Sequence, residues 1–139
     1  MSILYSEIFE EFAKAETKTE RIKILQKYDH PRFRDFFKLL FDENIEFDVE
    51  IPDYRPAPEP AGLNYTYLDN EMAKMYRFIK NHPRRTNVQP SRLKTILLVV
   101  LESLHKDESE ILVKLISRQL KIKFLTQRLV EEAYPGFTI

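Results

Sequence analysis

Two groups of basic side chains beside helix starts are the feature of this sequence best suited to chemistry. Arg84 and Arg85 stand in a loop, and Arg92 and Lys94 fall in the first turn of the helix that follows. Lys121, Lys123 and Arg128 bracket the start of the last helix that the pattern predicts. A first helical turn has N–H groups without intrahelical acceptors, and the backbone dipole adds positive charge there. Spaced Lys and Arg beside such turns suit a phosphate backbone. The expected ligand is therefore a nucleic acid, held by its phosphates. The competing reading is that these cations pair with acids elsewhere in the chain.

Other chemistry finds little support. His30, His82 and His105 have no partner histidine at i+3 or i+4, so no helical metal site is written. His30 and His82 precede prolines, and His105 is expected at a helix C-terminus, where a cation is favoured. The carboxylate pairs Glu10-Glu11 and Glu131-Glu132 fall on faces expected to be solvated. There is no cysteine, which excludes disulfides and thiol catalysis. Only two glycines occur, Gly62 and Gly136, and a phosphate-cradling loop needs several close together. Nor is there a serine in a glycine-flanked nucleophile elbow. No enzyme, metal or cofactor is expected.

The 139 residues suit one domain with a core of its own. The net charge is zero but unevenly placed. Residues 1–69 carry 15 acids and 9 bases, whereas residues 70–139 carry 7 acids and 13 bases. A basic binding half joined to an acidic one would show this pattern, as would two halves that neutralise each other. Glu7, Glu10 and Glu11 interrupt any signal-peptide pattern, and no apolar run is long enough to span a bilayer. A cytoplasmic protein with no membrane contact is expected.

The elements that must position these groups read as an all-α bundle of six to seven helices. A first helix over Ser2–Ala15 is predicted by Leu4, Ile8 and Phe12 at four-residue spacing. Thr17 to Glu20 has the form of a capping box opening a second helix. Asp29 and Pro31 suit the start of a third, with Phe33, Phe36, Phe37, Leu40 and Phe41 on one face. An aromatic stripe at that spacing belongs to a core. Residues 44–68 carry Pro52, Pro56, Pro58 and Pro60 and predict a long extended connection on the bundle surface. Asp69 is the expected cap of a fourth helix. Ser91–His105 is apolar nearly all round and reads as the central buried helix. Asp107 and Thr126 cap the last two predicted helices.

Taken in order, the residues resemble the N-terminal helical DNA-binding domain of ATP-dependent DNA ligases, above all those of tailed phages. Arg118-Gln-Leu120 stands where that family has an R-D-L-x-x-G segment, and Tyr134-Pro-Gly-Phe137 stands at its aromatic–Pro–Gly close. Glu20–Tyr28, the aromatic helix and the proline-bearing piece match its opening. The resemblance implies an all-α fold, double-stranded DNA as partner and Arg118 as a further contact. The family's glycine is replaced by Ile122-Lys-Phe124, and the K-x-D-G motif that carries AMP is absent. A stand-alone relative without the nucleotidyltransferase domain is implied, phage-encoded and acting in the host cytoplasm.

Two functions follow as expectations. One is a non-enzymatic protein that binds duplex phosphates with little sequence preference through Arg84, Arg85, Arg92, Lys94, Arg118, Lys121, Lys123 and Arg128. The other is an adaptor or inhibitor that reuses the scaffold to bind a replication or host transcription protein. It would dock through the 44–68 segment with Asp48, Glu50, Asp53 and Glu59.

Overall fold

The computed structural model describes residues 3–139. Among them are seven α-helices: α1 Tyr5–Lys14, α2 Lys18–Lys27, α3 Pro31–Phe41, α4 Leu68–Glu71, α5 Pro90–Ser103, α6 Lys106–Ile116 and α7 Gln127–Ala133. A 3-10 segment, η1 Met72–Phe78, continues α4. No strand appears among the described residues, only two isolated bridges, Phe47 with Ile79 and Ala57 with His105. The chain is an all-α bundle, as its periodicity predicts. The expected start of the first helix at Ser2 lies outside the described residues.

Aromatic packing supplies the centre. Tyr5, Ile8, Phe9 and Phe12 of α1 meet Phe33, Phe36 and Phe37 of α3, all buried. Ring centroids lie 4.9 Å apart for Tyr5–Phe33 and 4.5 Å for Phe33–Phe37, within the range in which tilted rings attract. Leu25, Phe78, Leu97, Leu101, Leu112 and Val130 extend this one cluster through the other elements. α7 lies on α2 and α3, and α5 lies on α6.

α5 is not the fully buried rod that its composition predicts. Leu93, Leu97, Val100 and Leu101 are buried. Its other face carries Arg92, Thr95 and Val99 in the open, and Val99 is 60% exposed. α1 and α3 also bury one face each, and theirs is aromatic, which removes more area per residue than an aliphatic face.

The extended connection is strapped down rather than loose. Phe47, Val49 and Ile51 pack on the core, while Asp48 and Glu50 point outward. The Asp48 N–H donates to Phe78 O at 2.7 Å, and the Lys80 N–H donates to Glu46 O at 2.8 Å. These bonds hold the connection beside the chain that leaves η1.

Thr17 and Thr126 cap α2 and α7 as expected, accepting the N–H of Glu20 and of Leu129. Three other expected caps are displaced. His30, not Asp29, caps α3, because Asp29 is held by Arg34 through two 2.7 Å bonds. His105, not Asp107, caps α6, its Nδ1 accepting the Asp107 N–H at 3.1 Å. It therefore serves a helix start, not the expected C-terminus. Asp69 accepts the Tyr5 hydroxyl at 2.8 Å and does not cap α4.

The residues preceding α1 and α4, Leu4 and Tyr67, offer no side-chain cap. Glu108 of α6 substitutes for both. Its carboxylate accepts the Tyr5 N–H at 2.7 Å and the Leu68 N–H at 2.9 Å, in a fully buried position. Unpaired N–H groups at helix starts are satisfied from another helix. Burial pushes the Glu108 carboxyl up to about 7, while the two N–H bonds pull the other way and weigh less.

Candidate nucleic-acid interface

The eight cations expected at a binding face have different fates. Arg118 is spent within the fold. α6 ends at Ile116 with Ser117 as its cap, and Arg118 takes a left-handed conformation with φ +60°. The Arg118 N–H donates to Leu115 O at 3.2 Å and the Gln119 N–H to Lys114 O at 2.8 Å. This is the paired turn that a glycine usually closes. The guanidinium reaches back to the carbonyls that end α3: Leu39 at 2.6 Å, Asp42 at 3.1 Å, and Ile45. It also lies 5.1 Å from the Phe47 ring centre. Neither Asp107 nor Glu110, both in α6, pairs with it; Glu110 holds Lys114 at 2.8 Å.

Arg85 and Lys94 are neutralised by the extended connection. Arg85 lies 3.2 Å from the Asp48 carboxylate and donates to the Asp48 carbonyl as well. Lys94 lies 3.4 Å from Glu50. Here the acidic and basic halves do pair, and two acids of the expected adaptor surface are taken up in the pairing.

Arg84 and Arg92 remain exposed. Arg84 stacks on Tyr76 at 4.6 Å, and its N–H donates to His82 Nδ1 at 3.0 Å. His30, His82 and His105 thus share one task, accepting the N–H two residues ahead. No group of three or more His, Asp or Glu side chains is placed to hold a metal among the described residues.

The second group gathers around Phe124. Lys121 and Lys123 are exposed on the linker between α6 and α7. The Lys123 ammonium lies 5.0 Å from the Phe124 ring centre, and the Arg21 guanidinium of α2 lies 3.8 Å from it. Phe124 is 46% exposed and has φ +69°, so the backbone itself turns the ring outward. Lys18, Arg21, Phe124, Arg128 and Glu132 line a groove of about 250 Å³. Glu132 accepts from Lys18 at 2.9 Å and lies 3.6 Å from Arg128; the Lys18 bond holds its carboxyl below the usual range.

The two groups of cations do not share a groove: the walls that hold Arg84, Arg85 and Arg92 have no residue in common with the groove at Arg128. Lys18 and Arg21 join the second group only because α2 packs against α7. Nothing in their local sequence sets them apart from other helix-surface cations, so sequence reasoning misses them.

No helix among the described residues is long and apolar enough to cross a membrane. Nothing among curated proteins or solved structures matches the chain. One family model, described as a family of unknown function (DUF6433), matches residues 8–122. The match runs from α1 to the linker after α6 and stops just short of Lys123 and Arg128. It takes in most of the sequence, and the chain therefore belongs to DUF6433.

Proposed function

We propose that this is a non-enzymatic, cytoplasmic DNA-binding protein that contacts duplex phosphates with little sequence preference. The face it uses is formed by α2, the linker 117–126 and α7. One observation carries the reading: Lys18, Arg21, Lys123 and Arg128 surround a half-exposed Phe124, with Glu132 the acid set among them, and Lys121 is exposed on the same linker. Cations at mixed spacings around an apolar platform suit a backbone of repeating charges and read no base edge. The resemblance to the phage ligase DNA-binding domain supports the same partner, since the R-Q-L segment and the Tyr134-Pro-Gly close flank this face. Arg118 acts behind it, setting the path of the linker that carries Lys121 and Lys123.

The direct test is fluorescence anisotropy with a labelled duplex at about 50 mM and about 200 mM salt. Neutralising about four phosphates gives a log–log slope near −3.6, at roughly 0.9 per phosphate. Duplexes of unrelated sequence should bind alike. Absence of duplex binding at the lower salt overturns the proposal.

A further inference from the structure

α5 carries more apolar surface than the bundle covers. Its outward face lines a groove of about 530 Å³ together with η1 and the end of the extended connection. Ile96, Val99 and Val100 form the floor, and Tyr65, 88% exposed, stands over it. Lys74, Arg77 and Arg92 form the rim. Lys74 and Arg92 pair with no carboxylate among the described residues. Glu71 is buried and held at one wall by Thr66 at 3.1 Å and Arg77 at 3.7 Å, so it offers little free charge. From Arg92 to Ser103 the face runs about 16 Å, at 1.5 Å per residue, or three helical turns.

We infer that this groove is the docking site of an acidic amphipathic peptide segment from a protein partner. Apolar side chains of the segment seat on Ile96 and Val99, and its carboxylates meet Lys74 and Arg92, Arg77 being held by Glu71. Charge complementarity selects the sign of the partner. The floor selects its class: branched aliphatic side chains fit a Leu or Phe anchor laid into a groove, whereas a nucleic acid would need a continuous cationic lining to track its backbone. The site is separate from the DNA face and does not depend on it.

The test is a selection from a displayed library of random peptides about 16 residues long, with the full protein immobilised. Val99→Asp and Arg92→Glu are run alongside, each checked for wild-type circular dichroism. Both residues are surface-exposed, so folding is preserved. Enriched peptides should carry Asp and Glu with Leu or Phe at helical spacing. Their affinity, by anisotropy of the labelled peptides, should fall by about tenfold or more with Val99→Asp, the loss of one buried anchor contact. Arg92→Glu should weaken acidic peptides and strengthen their Lys-for-Glu counterparts. Enrichment of neutral or basic peptides overturns the inference, as does binding that ignores Val99→Asp. A duplex or single strand whose affinity falls with Val99→Asp assigns the groove to nucleic acid and overturns it too. Loss of duplex binding in Lys121→Glu/Lys123→Glu with peptide binding intact leaves the groove standing by itself.

Discussion

Glu108 caps the helix that begins at Tyr5: its carboxylate accepts the Tyr5 N–H at 2.7 Å, across 103 residues of sequence. The same carboxylate holds the Leu68 N–H. Replacement by alanine leaves two buried N–H groups without acceptors and opens space in a packed interior. Glu108→Ala is expected to cost about 3–5 kcal/mol, read as a drop in urea midpoint. A loss below about 1 kcal/mol would show that the caps are not held in solution.

The same residue sets a pH dependence. Its carboxyl titrates at about 7 in the folded protein and at the ordinary 4.5 when unfolded. Between those values the folded state binds the extra proton, so stability falls as pH rises from about 4.5 through 7. The difference across the window is on the order of 3 kcal/mol. Urea denaturation at pH 5 and pH 8 should give a lower midpoint at pH 8, and Glu108→Gln should flatten the difference. A wild-type protein that is more stable at pH 8 contradicts the assignment.

Asp29 works in the opposite direction. Hydrogen bonding to Arg34 holds its carboxyl below the usual range. Its contribution is present above the unfolded value and is lost as pH falls through the folded one. The pair lies at the surface, each side chain about a third exposed, and so contributes little, about 1 kcal/mol or less. Asp29→Asn should lower stability slightly at pH 7 and not at all at pH 2, and a loss that persists at pH 2 would assign Asp29 a role other than its charge.

Arg118 combines a backbone conformation that disfavours side chains with bonds to carbonyls that end α3. Arg118→Ala loses the bonds and keeps the strain, whereas Arg118→Gly loses the bonds and relieves it. Glycine should therefore exceed alanine in stability by about 1 kcal/mol, with both below wild type. Thermal melts of the three proteins give the order, and alanine ranking above glycine would refute the left-handed turn.

On the proposed DNA face the cations should separate cleanly. Lys121→Glu/Lys123→Glu should reduce duplex affinity by about a hundredfold at low salt and make the salt slope shallower by roughly two. Lys94→Ala should change affinity less than about twofold, because Glu50 already neutralises Lys94. Equal losses from both variants would restore the broader face that the sequence predicts.

Most of the fold is legible in the residues. The aromatic spacing from Phe33 to Phe41 marks a core helix, Thr17 and Thr126 mark helix starts, and four prolines mark the extended connection. What is not legible depends on contacts far along the chain. Asp29, Asp69 and Asp107 look like caps, but Arg34 and Tyr5 engage the first two, and His105 serves in place of the third. Glu108 reads as an ordinary first-turn acid, and nothing local shows that it closes two other helices. The apolar girth of α5 predicts burial all round, yet only one face is covered and Val99 stays in water. Of the proposed face, Lys121, Lys123 and Arg128 are named from the sequence, whereas Arg21 and Lys18 become visible only when α2 meets α7.

The pairing of Glu108 with Tyr5 has a consequence for synthesis on the ribosome. The first helix emerges early, but the acceptor for its leading N–H follows 103 residues later. Leu25 likewise waits for the Tyr134 hydroxyl, 109 residues downstream. While the chain is still growing the leading helices lack these two bonds, and the rings of α1 and α3 have only one another for cover until α6 and α7 arrive. Complete packing thereby waits until α6 and α7 have emerged, and the interval before that is the one most open to holdase chaperones and to aggregation.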